Sequence, residues 1–237
     1  MKPHIYFWKP QVEHFKRNNQ RVKVLFEDTK IDKDALWHRY TTKVEQQMNS
    51  LASVKNYGDS SHIYEIYEDK MIDAAELFWH AISIHKFQYL MLLCQTWENE
   101  LIIFVTKELK NYYELSGGLT YSDIINKILS KNMNLSDIKG LDKINELRLL
   151  VNVIKHGEGD SAKKLRKKRP DFFKFETEEE LTKYNDRMEI WNSILLENAA
   201  LNVDDSEFYL YFNAINNFWD SMPTRLYLDG NTAPIYE

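Results

Sequence analysis

Glycine and proline are scarce in this chain, which has seven glycines and five prolines among 237 residues. This scarcity argues against an all-β fold, which needs many tight turns, and against a disordered chain. A hydrophobic share of 43%, with 14% aromatic residues, is ample for a buried core. The composition therefore predicts an all-α protein, a helical bundle with long central helices.

Cysteine is nearly absent as well. The single Cys94 excludes an intrachain disulfide and a zinc site built from several cysteines, and we expect it to be a buried core thiol. The most apolar window, residues 87–105, is interrupted by Gln95, Glu98, Asn99 and Glu100, so it cannot serve as a membrane span. The N-terminal segment also lacks the pattern of a secretion signal. We therefore expect a cytoplasmic protein with no membrane partner.

The apolar spacing predicts one helical domain over residues 31–223, preceded by an extended N-terminal arm (1–30) and followed by a C-terminal tail (224–237). Within the arm, Val22 to Phe26 (VKVLF) favours a short strand or an extended segment. The helices are expected near residues 32–55, 61–115, 123–132, 135–155, 176–198 and 204–222, with a kink or break in the second because it is so long.

The net charge of −5 offers no general attraction to nucleic acid, so any such binding must use a local patch. The best candidate is a run of six basic residues within seven positions: Lys163, Lys164, Arg166, Lys167, Lys168 and Arg169. Phe172, Phe173 and Phe175 lie close enough in sequence to stack on bases. The alternative is a surface helix neutralised by the acidic residues 178–180, with the phenylalanines in the core.

The segment before this run carries the clearest chemical signal. Arg148, Asn152 and His156 are spaced by four, so on a helix they advance about 40° per step and form one polar stripe. The opposite face is apolar, with Leu147, Leu150 and Ile154. Gly157 follows directly, where a left-handed residue commonly ends a helix.

This polar stripe suits phosphodiester cleavage in RNA. Histidine transfers protons near neutral pH, so His156 is the candidate general acid or base. Arg148 offers a fork of donors that matches phosphate, and Asn152 would orient either partner. Lys155 and the basic run would hold the strand. Neither a metal nor a cofactor is required for this chemistry.

The stripe on a late helix resembles the HEPN superfamily, whose signature is an Arg, a polar residue directly after it, and a His a few positions later. Asn152 to His156 reproduces the second part, while Val151 stands where the signature has Arg. Arg148, one turn before Asn152 on the same side, either takes that place or marks a lost nuclease. The resemblance implies an RNA-directed homodimer, with metal-independent endoribonucleases of toxin or antiviral defence systems among its relatives.

The competing hypothesis is a non-catalytic helical interaction or scaffold protein. In that case His156 caps the end of its helix, Arg148 pairs with a carboxylate across the bundle, and Asn152 bonds to a neighbouring helix. The two hypotheses differ in whether the guanidinium and the imidazole are open to solvent or held by partners.

Overall fold

The computed structural model describes residues 2–52, 60–115, 117–174, 186–190 and 201–229. Regular structure in these ranges is almost entirely helical, which confirms the all-α fold class. The helices are α1 (Lys9–Asp28), α2 (Lys33–Ala52), α3 (Ser60–Leu109), a π-helical segment (Asp123–Leu129) that continues into α4 (Ser130–Asn132), α5 (Leu141–His156), α6 (Asp160–Lys168), α7 (Arg187–Ile190) and α8 (Ser206–Ser221). None of the helices described here is both long and apolar enough to cross a membrane.

The extended arm predicted for residues 1–30 is wrong over most of its length. Only a short strand, β1 (His4–Tyr6), precedes α1, and it pairs antiparallel with β2 (Arg225–Tyr227). The buried residues of α1 recur at alternating threes and fours: Val12, Phe15, Asn19, Val22 and Phe26. Val24 and Leu25 are exposed, and these apolar residues on the solvent side gave VKVLF the appearance of a strand.

Of the kink or break predicted in the second helical region, the break is absent, because α3 is one continuous helix of 50 residues. The predicted helix over 176–198 lies largely outside the described residues, and only α7 is seen there. The tail contains β2, while residues 230–237 are likewise outside the described ranges.

The chain forms two compact units, whereas the sequence led us to expect one helical domain over residues 31–223. The first unit comprises Met1–Glu27, Tyr89–Val153 and Val203–Glu237. Its core joins α1, the second half of α3, α5 and α8. The ring of Phe15 stacks on Trp219 at 4.6 Å, and Trp97 meets Phe218 edge-on at 5.2 Å. Cys94 is buried in this core, as predicted.

The second unit comprises Asp28–Gln88 and Ile154–Asn202. It contains α2, the first half of α3, α6 and α7. Trp37 of α2 contacts Phe78 of α3 at 5.4 Å between ring centroids. The backbone N–H of Asn202 donates to the carbonyl of Phe172 at 2.7 Å, which holds the segment after α6.

Two glycines adopt the left-handed conformation for different reasons. Gly157 (φ +67°) ends α5 as predicted, and a Cβ there would meet no atom within 4 Å. Gly140 (φ +84°) precedes α5, and a Cβ there would overlap the backbone carbonyl of Ala214 in α8. Gly140 is therefore required for the close approach of two chain segments, whereas Gly157 is required only by its backbone angle.

We expect Gly140→Ala to destabilise the protein by roughly 3 kcal/mol or more, because the added methyl group meets rigid backbone in addition to the unfavourable φ. Gly157→Ala is the matched control, and its cost is about 1 kcal/mol since only the backbone angle opposes it. Urea unfolding of the two variants measures the difference. Equal losses would show that the contact with Ala214 is not tight.

Candidate functional site

Helix α5 forms where the sequence predicted, and its apolar face is the core face. Leu147, Leu150 and Ile154 are buried, which places the polar stripe on the other side. Arg148 and Asn152 belong to the first unit, whereas Ile154–His156 belongs to the second. The three stripe residues therefore differ in their surroundings.

The guanidinium group of Arg148 contacts a carboxylate at its edge and an aromatic ring on its face. Its Nε donates to Glu98 Oε2 at 2.9 Å and its Nη2 donates to Glu98 Oε1 at 3.2 Å. The guanidinium also lies over the ring of Tyr121, with Cζ 3.5 Å from the centroid. This bidentate pair is the carboxylate contact that the scaffold hypothesis anticipated, and it neutralises the charge that phosphate would need.

Tyr121 extends this network. Its hydroxyl donates to Asn145 Oδ1 at 2.7 Å. Burial raises the pKa of Tyr121 to about 12, although the positive charge of Arg148 opposes that shift. The tyrosine therefore stays neutral at physiological pH and keeps its proton for Asn145. Arg148, Glu98, Tyr121 and Asn145 together form a closed polar cluster, which we call the α5 cluster.

Asn152 and His156 are placed differently from Arg148. Asn152 is partly exposed, and its side chain has no hydrogen bond within the described part of the chain. His156 and Lys155 are both exposed at the end of α5, and neither is paired with a described residue. An exposed, unpaired imidazole satisfies the accessibility that a proton-transfer role requires.

The basic run forms α6, which begins after Gly159 and ends at Lys168, just before Pro170, a residue that cannot continue a helix. Ala162 and Leu165 are its buried positions. Lys163, Lys164, Lys167 and Lys168 are exposed. The run is thus a surface helix with its lysines in solvent.

Arg166 in α6 and Arg169 at its C-terminal end both bind carboxylates. Arg166 donates to both oxygens of Glu158, at 2.8 and 2.6 Å, and also to Asp186. These bonds raise the pKa of Arg166, with the Glu158 pair as the largest cause, and they lower the pKa of Glu158 in turn. Arg169 Nη2 donates to Asp171 Oδ2 at 2.7 Å.

The predicted stacking of bases on Phe172 and Phe173 is wrong, because both rings are buried. They lie beneath the arginines instead: Arg169 Cζ is 3.7 Å from the ring centroid of Phe172, and Arg166 Cζ is 4.7 Å from that of Phe173. Phe175 and the acidic residues 178–180 lie outside the described residues. Among the described residues, Glu158 and Asp186 bind Arg166.

The sequence did not identify which carboxylates bind the arginines. Glu98 is 50 residues from Arg148, and nothing in the local pattern links them. In the sequence, Glu98 interrupts the apolar window over residues 87–105. A charged residue within the apolar part of a core helix indicates that it requires a partner.

We expect the Arg148–Glu98 pair to contribute to stability rather than to substrate binding. Arg148→Met should cost about 1–2 kcal/mol, because it leaves a partly buried carboxylate unpaired and removes the stacked guanidinium. A double-mutant cycle with Glu98→Gln should give a coupling energy of about 1 kcal/mol. The exposed pair Lys70–Asp73, whose charged atoms are 3.6 Å apart, is the control and should couple by roughly zero. Equal coupling in both pairs would contradict the structural role.

Comparison with models of known protein families found no match to this chain, and searches of curated proteins and of solved structures found none either. The resemblance to the HEPN superfamily therefore rests on the segment from Arg148 to His156 and on the helical fold.

Proposed function

We propose that this protein binds RNA through a basic surface in its second unit, made by Lys155, Lys163, Lys164 and Lys167. All four side chains are exposed. They lie at the end of α5 and along α6, within 13 positions of the sequence. The HEPN-like segment that precedes them favours RNA as the nucleic acid.

The observation that carries this proposal is the segregation of charge. Residues 154–174 contain eight basic and three acidic side chains, a net charge of +5, although the whole chain carries −5. The remaining residues therefore carry −10 and repel a phosphate backbone. A phosphate backbone is therefore attracted locally, by positive segments such as this one, where release of counterions supplies the free energy.

The arginines and lysines of this segment differ in their partners, and this difference supports the same proposal. Arg166 and Arg169 are committed to carboxylates and aromatic rings, so they fix the end of α6 rather than contact a ligand. Lys164 and Lys167 have no partner among the described residues. Lys163 reaches Asp160 only at 3.8 Å, with both groups highly exposed. Such solvated ammonium groups bind phosphate as point charges, with little preference for sequence.

A second function, metal-independent cleavage of the bound strand, is favoured by the exposed imidazole of His156 next to Lys155. Cleavage at a 2′-hydroxyl needs one group to take a proton and another to donate one. A homodimer of the HEPN type would bring two copies of His156 to one strand and supply both. Arg148, which is bonded to Glu98, supports α5 in this scheme and does not contact phosphate.

The binding proposal predicts that Lys163→Glu/Lys164→Glu/Lys167→Glu weakens the affinity for a labelled single-stranded RNA by on the order of a hundredfold. The slope of log affinity against log salt should fall by about 2, because each lost phosphate contact contributes about 0.7. Fluorescence anisotropy across a salt series measures both quantities. The control, Lys30→Glu/Lys33→Glu/Lys110→Glu, makes the same change in net charge at exposed positions and should lower the affinity far less.

Equal losses in the two triple variants would show that only net charge matters and that no basic surface exists. No binding by the parent protein would leave a helical scaffold as the better hypothesis.

The cleavage proposal predicts that the parent protein cuts RNA in the presence of EDTA. His156→Ala should slow cleavage by roughly a hundredfold or more while RNA affinity is kept, because a general acid or base contributes to rate rather than to binding. Gel analysis of end-labelled RNA measures the rate. Asn152→Ala tests the orienting role, and Arg148→Met should alter stability more than rate. Cleavage that survives His156→Ala would place the chemistry elsewhere or in a contaminant.

A further inference from the structure

A cleft of about 490 Å³ lies in the first unit, between the start of the chain and the second half of α3. Its walls are largely apolar and aromatic. Trp8 and Ile103 are 53% and 68% exposed, and Tyr6 and Phe104 complete the walls. Large side chains left open to solvent around one concave surface are typical of a ligand site rather than of a packed core.

The polar part of the cleft is an ordered network centred on Asn18. Its Nδ2 donates to Glu100 Oε1 at 2.7 Å and lies 3.2 Å from His14 Nε2. Arg21 Nη1 donates to Asn18 Oδ1 at 2.9 Å. Because arginine can only donate, the amide oxygen must face Arg21, and both amide protons are directed at Glu100 and His14. In this arrangement His14 Nε2 is the acceptor of the second amide proton.

Glu100 is left with an unused hydrogen-bonding capacity. Its Oε2 is covered by protein and has no hydrogen-bond partner in the part of the chain that the structure describes. Burial raises the pKa of Glu100 to about 7, although the bond from Asn18 opposes the shift. A carboxyl group in this condition gains from a cationic donor, which supplies both the missing hydrogen bond and the opposite charge.

We infer that this cleft binds an organic cation, an ammonium or guanidinium group carried on an aromatic body, with Glu100 as its counter-ion. The terminal torsion of a glutamate is soft, so a small rotation brings either oxygen to the ligand. The exposed ring of Trp8 attracts a cation through its face and stacks on an aromatic body. Both attractions act on the same ligand, which makes this class fit better than a neutral or an acidic one.

The other charged groups of the cleft agree with this sign. Glu108 is a second carboxylate, and its Oε2 accepts the backbone N–H of Tyr6 at 2.9 Å. Lys107 is the one lysine among the lining residues, and Arg21 is engaged with Asn18. With Glu100 ionised, the carboxylates of the lining therefore outnumber its one lysine by two to one.

Calorimetric titration with tryptamine tests the inference, with 3-ethylindole as the uncharged analogue of the same shape. Tryptamine should bind at least tenfold more tightly than 3-ethylindole at about pH 8. Its affinity should fall about tenfold on going to about pH 6, because Glu100 takes up a proton across that interval while the amine stays charged. A second titration uses acetyl-Trp-Arg-amide, which carries a guanidinium group on a peptide. If this compound binds and tryptamine does not, the natural ligand is a basic side chain of a peptide.

Glu100→Gln should remove the pH dependence and weaken tryptamine binding at about pH 8 by at least tenfold, whereas Glu114→Gln, an exposed carboxylate in the same unit, should change neither. Equal binding of tryptamine and 3-ethylindole, or unchanged binding by Glu100→Gln, overturns the inference. Trp8→Ala is a second test that remains available if Glu100→Gln fails to fold, because Trp8 is exposed. This variant should bind tryptamine severalfold more weakly than the parent. Unchanged binding by Trp8→Ala would also overturn the inference.

The unfolding transition gives a readout that does not need the ligand. The pKa of Glu100 lies above its ordinary value of 4.5, so the folded state keeps a proton that the unfolded state loses as pH rises between about 4.5 and about 7. The stability of the parent therefore falls across that interval. Glu100→Gln cannot ionise, so its unfolding midpoint should rise relative to the parent at about pH 8 and match it at about pH 4. A constant difference at every pH would show that Glu100 does not titrate as the cleft requires.

Discussion

The packing of Trp97 between Tyr121 and Phe218 is the contact on which the first unit depends most. The indole is fully buried, and its ring centroid is 5.7 Å from that of Tyr121 and 5.2 Å from that of Phe218. Phe218 in turn contacts Trp219, which stacks on Phe15 of α1. One continuous set of rings therefore joins α1, α3 and α8, and it also fixes Tyr121, the residue over which Arg148 lies. The α5 cluster is built on the aromatic core, so its geometry is a consequence of packing.

Three arginines in this chain share one arrangement, in which an aromatic ring lies beneath the guanidinium and a carboxylate binds its edge. Arg148 has Tyr121 and Glu98, and Arg169 has Phe172 and Asp171. The third, Arg166, lies over Phe173 and bonds to Glu158. A planar, weakly hydrated cation suits this position better than an ammonium group does. These three arginines are thereby used for structure, whereas Lys163, Lys164 and Lys167 of α6 are exposed to solvent.

The elements that sequence predicted best are those whose signals are local. The apolar period of α5 and Gly157 at its end are each determined within a few residues, and the structure confirms both. Helix α1 was missed because Val24 and Leu25 are apolar yet exposed, which concealed the heptad-like burial of the other residues. Whether a side chain of VKVLF is buried depends on α3 and α8, and that information is not local.

In the candidate site too, the sequence predicts the features that depend on local residues but not the contacts between distant segments. The exposure of Lys163, Lys164 and Lys167 follows from a charged helix with few apolar positions, which sequence alone indicates. The pairing of Arg148 with Glu98 joins segments 50 residues apart, and the bond between Asn18 and Glu100 joins segments 82 residues apart. No spacing rule predicts such pairs, because they arise from how helices meet. Long-range polar contacts therefore decide which candidate residues are free to act.

The first unit draws on three separate stretches of sequence, and this has a consequence for its synthesis on the ribosome. The ring of Phe15 finds Trp219 only after more than two hundred further residues have been made, and the same is true of Lys16 and its partner Asp220. Until α8 emerges, Trp97 of α3 lacks Phe218, which is part of the surface that buries it. The nascent chain therefore exposes an apolar part of α3 until α8 has left the exit tunnel and can close this core.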